Sequence, residues 1–372
     1  MSIPGLQGPE ELLSGSFVWA VGIEDTFVGQ PHRRTGRVLD EYELTDHYRL
    51  WREDLALVAS LGVQMIRYGI PWYRVNPAPG VYDWAWTDEV LEHLVRDLRI
   101  QPIVDLMHYG CPLWLEGEFA SPEYPERVAE YAQAFVERYR GLVRYYTPLN
   151  ESLVNANFCG QTGLWPPYLH GTRGWVRVLM ALVRGMARTI PAICSAQPEA
   201  TIVHVEAASY YAAEDPSLAS ELQFRWRRQF LPADLLLGRV DGAHPLYPWL
   251  LSQGVAPEEL DWLLTHRQDF HVFGCNFYPG ISCWRVVRTP GGTGIKRYYA
   301  GATELEAVVR AFHERYGKPV MLTETSTPGA VWRRERWLDT SVSATSRLRS
   351  DGVPVVGYTW WPVFSLVDWS YR

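Results

Sequence analysis

The stretch 50-LWREDLALVASLGVQMIRYGI-70 carries two periodicities in succession. Up to Gly62 the apolar residues Leu55, Val58, Ala59 and Leu61 recur on one face of a 3.6-residue turn, with charges opposite, as in an amphipathic helix. Beyond it, the run from Gln64 is short, apolar and β-prone, as in a buried strand. A helix feeding a short buried strand is half of a parallel β/α unit.

The same unit recurs along the chain. Strands are expected at FVWAVG from Phe17, QMIRYGI from Gln64, PIVDLMH from Pro102, RYYTPLN from Arg144, TIVHVE from Thr201, HVFGCN from His271, PVMLTE from Pro319 and PVVGYTW from Pro354. Helices are expected over 50–62, 88–99, 124–140, 174–190, around 218–230 and over 304–317. Eight strands with intervening helices and no repeat or linker predict a single α/β domain over 1–372, a (β/α)8 TIM barrel elaborated between about 206 and 269. Only about ten residues follow the eighth strand, so the eighth helix is expected to be missing. Its absence would leave apolar barrel surface for a second copy or another partner to cover.

With 372 residues and 47% hydrophobic content, the chain can bury a core of that size. A formal charge of −7 gives no basic footprint for nucleic acid. The five cysteines, Cys111, Cys159, Cys194, Cys275 and Cys283, are scattered without CxxC spacing, which argues against a disulfide framework or zinc ribbon. Neither a signal peptide nor an apolar run long enough to span a bilayer is evident, so a soluble, cytoplasmic protein is expected, with no membrane or nucleic-acid partner. Nucleotide, zinc-protease and serine-hydrolase motifs are missing, and neither a cofactor nor a metal is implied.

In a (β/α)8 barrel, chemistry sits at the C-terminal ends of the strands. Glu151, in 145-YYTPLNES-152, ends the fourth strand and Glu324, in 319-PVMLTETS-326, ends the seventh. Two carboxylates facing each other across the mouth are the minimal equipment for glycoside hydrolysis. A gap of about 5–5.5 Å implies retention and one of about 6.5–9.5 Å inversion.

These segments resemble those of glycoside hydrolase family 1, the retaining β-glucosidase and β-galactosidase family. TPLNES is similar to its T(F/L)NEP motif and LTETS to its ITENG motif. The similarity runs from 17-FVWAVGIEDTF-27 through 46-DHYRLWREDLALVASLGVQMIRYGIPWYRVNP-77, 104-VDLMHYGCPLWL-115 and 273-FGCNFY-278 to 357-GYTWWPVFSLVDW-369. The resemblance implies a glycoside substrate, with Glu151 as general acid/base and Glu324 as nucleophile. It further implies Arg67 and Tyr278 as the nucleophile's partners, Asn276 in support, Asn150 on a sugar 2-hydroxyl, His108 on another hydroxyl, and Trp361 and Trp369 as an apolar platform.

The glycone pocket departs from the family. Phe27 stands where the family has a sugar-binding glutamine, with Glu24 nearby as a candidate contact. Asp368 replaces a glutamate, and HW, NEP and ENG become HY at Tyr109, NES at Ser152 and ETS at Thr325. The expected activity is retaining hydrolysis of β-glycosides. A transglycosylase using the same pair, and a sugar-binding or scaffold barrel without activity, are the alternatives.

Overall fold

The computed structural model describes Leu12 and residues 16–372. Eight parallel strands close into a barrel in sequence order: β1 (Val18–Gly22), β2 (Met65–Gly69), β3 (Gln101–Asp105), β4 (Tyr145–Thr147), β5 (Thr201–Ala207), β6 (Val272–Asn276), β7 (Val320–Thr325) and β8 (Val355–Trp360). All eight start within a residue of their expected positions, while β3 and β4 end three residues earlier than expected. Closure leaves no edge strand in the barrel, so every ladder finds partners on both sides.

Alternation along each strand sends one set of side chains inward. Val18, Ala20, Met65, Ile103, Tyr145, Val203, Val272, Met321 and Val356 fill the lower barrel, joined by the fully buried Leu12. Two residues higher, the same inward parity delivers Arg67 on β2 and Asp105 on β3, which have no exposed surface. Polar side chains therefore occupy the layer directly above the apolar plug.

Outside the barrel lie α1 (His47–Ser60), α2 (Ala85–Glu92), α3 (Tyr124–Tyr139), α4 (Gly171–Ala196), α5 (Ala219–Leu236), α6 (Ala302–Tyr316) and α7 (Val331–Ser350). On α1 the buried residues Trp51, Leu55 and Val58 follow helical spacing. His47 ties this helix to β2, its Nδ1 2.7 Å from Asp54 and its Nε2 2.7 Å from the Tyr68 hydroxyl. Helix α6 stops at Gly317, whose φ of 67° suits a residue without a Cβ. Helix α4 is long and apolar enough to cross a membrane by length and composition, but 61% of its most apolar window is buried inside the protein, as in a core helix.

Two elements lay beyond the sequence expectations. Helix α7 was not among the expected helices, and the elaboration is not confined to 206–269. Tyr210–Ala213 pairs in parallel with Cys283–Thr289, which pairs antiparallel with Gly292–Arg297, so a small second sheet joins the inserts after β5 and β6.

No eighth helix follows β8 among the described residues; 361–372 hold only a short 3-10 turn at Trp369–Tyr371. Beside the outer face of β1 a groove of about 250 Å³ opens, lined by Phe17, Trp19, Val342, Thr345, Ser346, Arg349 and Ser350. Trp19 is 41% exposed there, as expected for a strand face without its helix.

Candidate active site

Glu151 and Glu324 reach the mouth through two different backbone devices. Past β4 the chain stays attached to the neighbouring segments, the Asn150 amide donating to the Met107 carbonyl (3.0 Å) and the Glu151 amide to the Val205 carbonyl (3.1 Å). Glu151 then takes a left-handed conformation (φ 47°) immediately before the short helix Ser152–Ala156. Such a φ is uncommon for a side chain other than glycine and persists only where the surroundings hold it. On β7 the device is a bulge: Leu322 pairs with Cys275 and Glu324 with Asn276, leaving Thr323 as an extra residue. The slip re-aims Glu324 inward, where strict alternation from Met321 would have turned it out.

Among the described residues, Arg67 is the only cation paired with the nucleophile candidate. Its Nη1 donates to Glu324 Oε1 (2.6 Å) and to the Thr323 carbonyl (3.1 Å), and its Nη2 to Asp105 Oδ2 (2.6 Å) and Asn150 Oδ1 (3.0 Å). Glu24 Oε1 also lies 2.6 Å from Nη1. Burial alone would push the guanidinium down, but Asp105, Glu24 and Glu324 together hold it above its ordinary value. On the other oxygen of Glu324 the Tyr278 hydroxyl donates at 2.5 Å. Burial and the charge of Glu324 keep this phenol well above its usual range, so it remains a donor.

Among the described residues, no cation pairs with Glu151. Tyr109 donates to its Oε2, and Asn276 Nδ2 donates to its Oε1 at 2.9 Å. Burial raises this carboxyl to about 8 and the charge of Glu324 adds to the rise, while the bonds from Tyr109 and Asn276 pull it back. A group in that state keeps its proton at neutral pH and can give it up. The pair is therefore set for opposite work, one carboxyl protonated and the other held by Arg67 and Tyr278.

The expected sugar-holding groups are mostly engaged with one another. Asn150 Nδ2 donates to the Tyr109 hydroxyl (2.9 Å) and lies 3.1 Å from His108 Nε2, while its Oδ1 accepts from Arg67 and from Asn276 (3.3 Å). His108 Nδ1 lies 3.2 Å from Asp105 Oδ2. Asn276 also accepts from the Thr323 hydroxyl (2.7 Å), which fixes the orientation of its amide. Trp361 stands edge-on to Tyr278 (5.9 Å) and donates from its indole to the Glu24 carbonyl (2.8 Å). Trp369 packs edge-on against Tyr109 (5.5 Å) and Trp165 (5.1 Å), making one aromatic wall beside the acid/base.

One placement needs correcting. Asp368 does not reach into the mouth; it is exposed and accepts from the Ser370 amide at 2.8 Å, because an aspartate two residues before a free N–H closes a local turn. The sequence reading also missed Asp105 and the role of Tyr109. A charged residue at inward parity in 102-PIVDLMH-108 was the available signal for Asp105. Tyr109 gave none beyond its place next to His108. Among the described residues no group of three or more His, Cys, Asp or Glu side chains is arranged to hold a metal ion.

A (β/α)8 barrel with two carboxyls in contrasting environments at its mouth has the equipment of a glycosidase. The model of glycosyl hydrolase family 1 matches residues 20–242, and the chain belongs to that family. It is 26% identical over 384 aligned residues to the aryl-phospho-beta-D-glucosidase BglC of Bacillus subtilis (strain 168), covering 87% of this chain and 78% of that one. It is 23% identical over 353 residues to beta-glucosidase A of Thermotoga maritima, covering 87% and 79%. In fold it matches the solved beta-glucosidase from Thermotoga maritima in complex with glucoimidazole, with a TM-score of 0.84 at 20% identity over 95% of this chain and 90% of that one. The protein is thus a β-glucosidase-like glycoside hydrolase, divergent in sequence.

Proposed function

We propose that the chain hydrolyses β-linked glycosides with retention, by double displacement. Glu324 attacks the anomeric carbon while Glu151 gives its proton to the departing oxygen; a glycosyl ester on Glu324 results. Glu151, now a carboxylate, takes a proton from water, and the hydroxide formed in the same step releases the sugar and restores Glu324. The observation that carries this reading is the asymmetry of the pair: Arg67 and Tyr278 on Glu324, and the neutral donors Tyr109 and Asn276 on Glu151.

The pH dependence follows from the protonated form required of Glu151. With its carboxyl near 8, kcat/KM is expected to fall as pH rises through that value, because the acid is lost. The deciding experiment uses a panel of aryl β-glycosides, followed by inactivation with the matching 2-deoxy-2-fluoro glycoside and peptide mapping. A label on Glu324 is expected; a label elsewhere, or an inverted first product, would overturn the mechanism. We further propose a reducing compartment such as the cytoplasm, in keeping with five free cysteines.

A further inference from the structure

The polar side chains beside the catalytic pair can be counted, donor by donor, against their hydrogen-bonding capacity. Arg67 can only donate, so its contact at 3.0 Å fixes the Asn150 amide with Oδ1 toward the guanidinium. That oxygen also accepts from Asn276 Nδ2 (3.3 Å), which fills both of its lone pairs. Of the two hydrogens on Asn150 Nδ2, one goes to the Tyr109 hydroxyl (2.9 Å) and the other faces His108 Nε2 (3.1 Å). The side chain is fully buried, and its amide has no capacity left for a ligand.

Its neighbours are in the same state. Asp105 Oδ2, 3.2 Å from His108 Nδ1, accepts the ring hydrogen there, which leaves Nε2 as the acceptor for Asn150. Asn276 directs its two amide hydrogens at Asn150 and Glu151. The Tyr109 hydroxyl accepts from Asn150 and donates its single hydrogen to Glu151 Oε2. The set closes on itself, and Tyr109 is the member that departs from the family's HW motif. A tryptophan there would offer one N–H donor and no acceptor, so it could not receive the Asn150 amide as the phenol does.

The family resemblance implies Asn150 on a sugar 2-hydroxyl. A hydroxyl at C2 draws electrons from the anomeric carbon and so opposes an oxocarbenium-like transition state; a hydrogen bond to that hydroxyl which strengthens in the transition state offsets the handicap. In this chain the amide hydrogen that such a bond needs is already on Tyr109.

We propose that Tyr109 is a specificity-determining residue which, by standing in for a 2-hydroxyl on Asn150, fits the site to β-glycosides of 2-deoxy sugars. This rests on the proposed hydrolysis by Glu151 and Glu324. A 2-deoxy glycoside needs no anchor at C2, leaves the closed set of bonds undisturbed and reacts at the more electron-rich anomeric carbon. A 2-hydroxy glycoside must displace Tyr109 from Asn150 or leave its own hydroxyl unpaired, and either costs it a hydrogen bond.

The test compares para-nitrophenyl β-D-glucoside with its 2-deoxy counterpart in turnover, and the iminosugar deoxynojirimycin with its 2-deoxy analogue in calorimetric binding. The unaltered protein is expected to show the higher kcat/KM on the 2-deoxy glycoside, by on the order of tenfold, and to bind the two iminosugars within about threefold of each other. Tyr109→Phe keeps the ring and frees the Asn150 hydrogen, and should move both ratios toward the 2-hydroxy compound by on the order of tenfold. Each ratio is taken within one protein at one pH, so a displaced limb of Glu151 cancels from it. An unaltered protein that prefers the 2-hydroxy member of either pair by more than about threefold overturns the proposal, and so do ratios that Tyr109→Phe leaves in place. Should Tyr109→Phe not fold, Tyr109→Trp also lacks an acceptor and must shift the ratios in the same direction; no shift is again fatal. If neither glycoside is turned over, the proposed function falls, and the calorimetric pair still decides the role of Tyr109.

Discussion

The ends of β4 and β7 present the same residue type in opposite surroundings. Glu151 sits in a left-handed turn with the neutral Tyr109 and Asn276 as donors, whereas Glu324 sits on a bulge with Arg67 on one oxygen and Tyr278 on the other. The difference teaches that a glutamate's chemistry here is decided by its neighbours' charge, since burial acts on both. Two neutral donors offset only part of the cost of burial, while a guanidinium at 2.6 Å supplies a full opposing charge.

The most severe break of that contrast is Glu324→Ala, expected to lower turnover by on the order of 10⁵-fold because no covalent intermediate can form. Added azide should then yield an α-glycosyl azide, its attack having a single inversion. Glu151→Ala is expected to cost about 10²–10⁴-fold on substrates with poor leaving groups and far less on a dinitrophenyl glycoside, which needs no proton. Here azide should give the β-azide, and the basic limb of the pH profile should disappear.

A subtler change is Tyr109→Phe. Its hydroxyl favours the charged form of Glu151, so removing it should raise the acid's titration further and move the basic limb upward by roughly half to one pH unit, read from kcat/KM against pH. The smallest effect on rate is expected for Ser152→Ala. The Ser152 hydroxyl donates to the buried Glu206, whose carboxyl burial lifts to about 7. Loss of that bond should lower stability by about 1–3 kcal/mol in thermal denaturation and leave kcat nearly unchanged.

Most of the barrel was legible because strand and helix periods alternate cleanly from Phe17 to Trp360. Helix α7 was not, and its inner face explains why. Its buried positions include Ser341, Ala344 and Thr345, which carry little hydrophobic signal, and the helix docks partly by polar bonds, Ser341 to the Tyr358 hydroxyl (2.8 Å) and Trp337 to Thr325 (2.9 Å). At the site, Glu151, Glu324, Arg67 and Tyr278 were each recognisable from their motifs, and the structure brings them together. What linear order could not convey was the sharing of partners. That Glu24 and Asp105 reach the same guanidinium as Glu324 depends on three segments far apart in sequence, and that Asn150 is engaged on four sides depends on side-chain direction.

The extra residue at Thr323 also constrains how this chain can change by descent. Deleting one residue between Met321 and Glu324, or inserting one, would reverse the parity at the strand tip and swing the attacking carboxylate out toward the helix layer. Only a paired change of length would restore it. Identity is freer than spacing there, as the residues after Glu324 attest: Thr325 and Ser326 depart from the family's pattern while the count of residues that aims Glu324 is kept. In this barrel the tip of the seventh strand tolerates altered letters and forbids an altered frame.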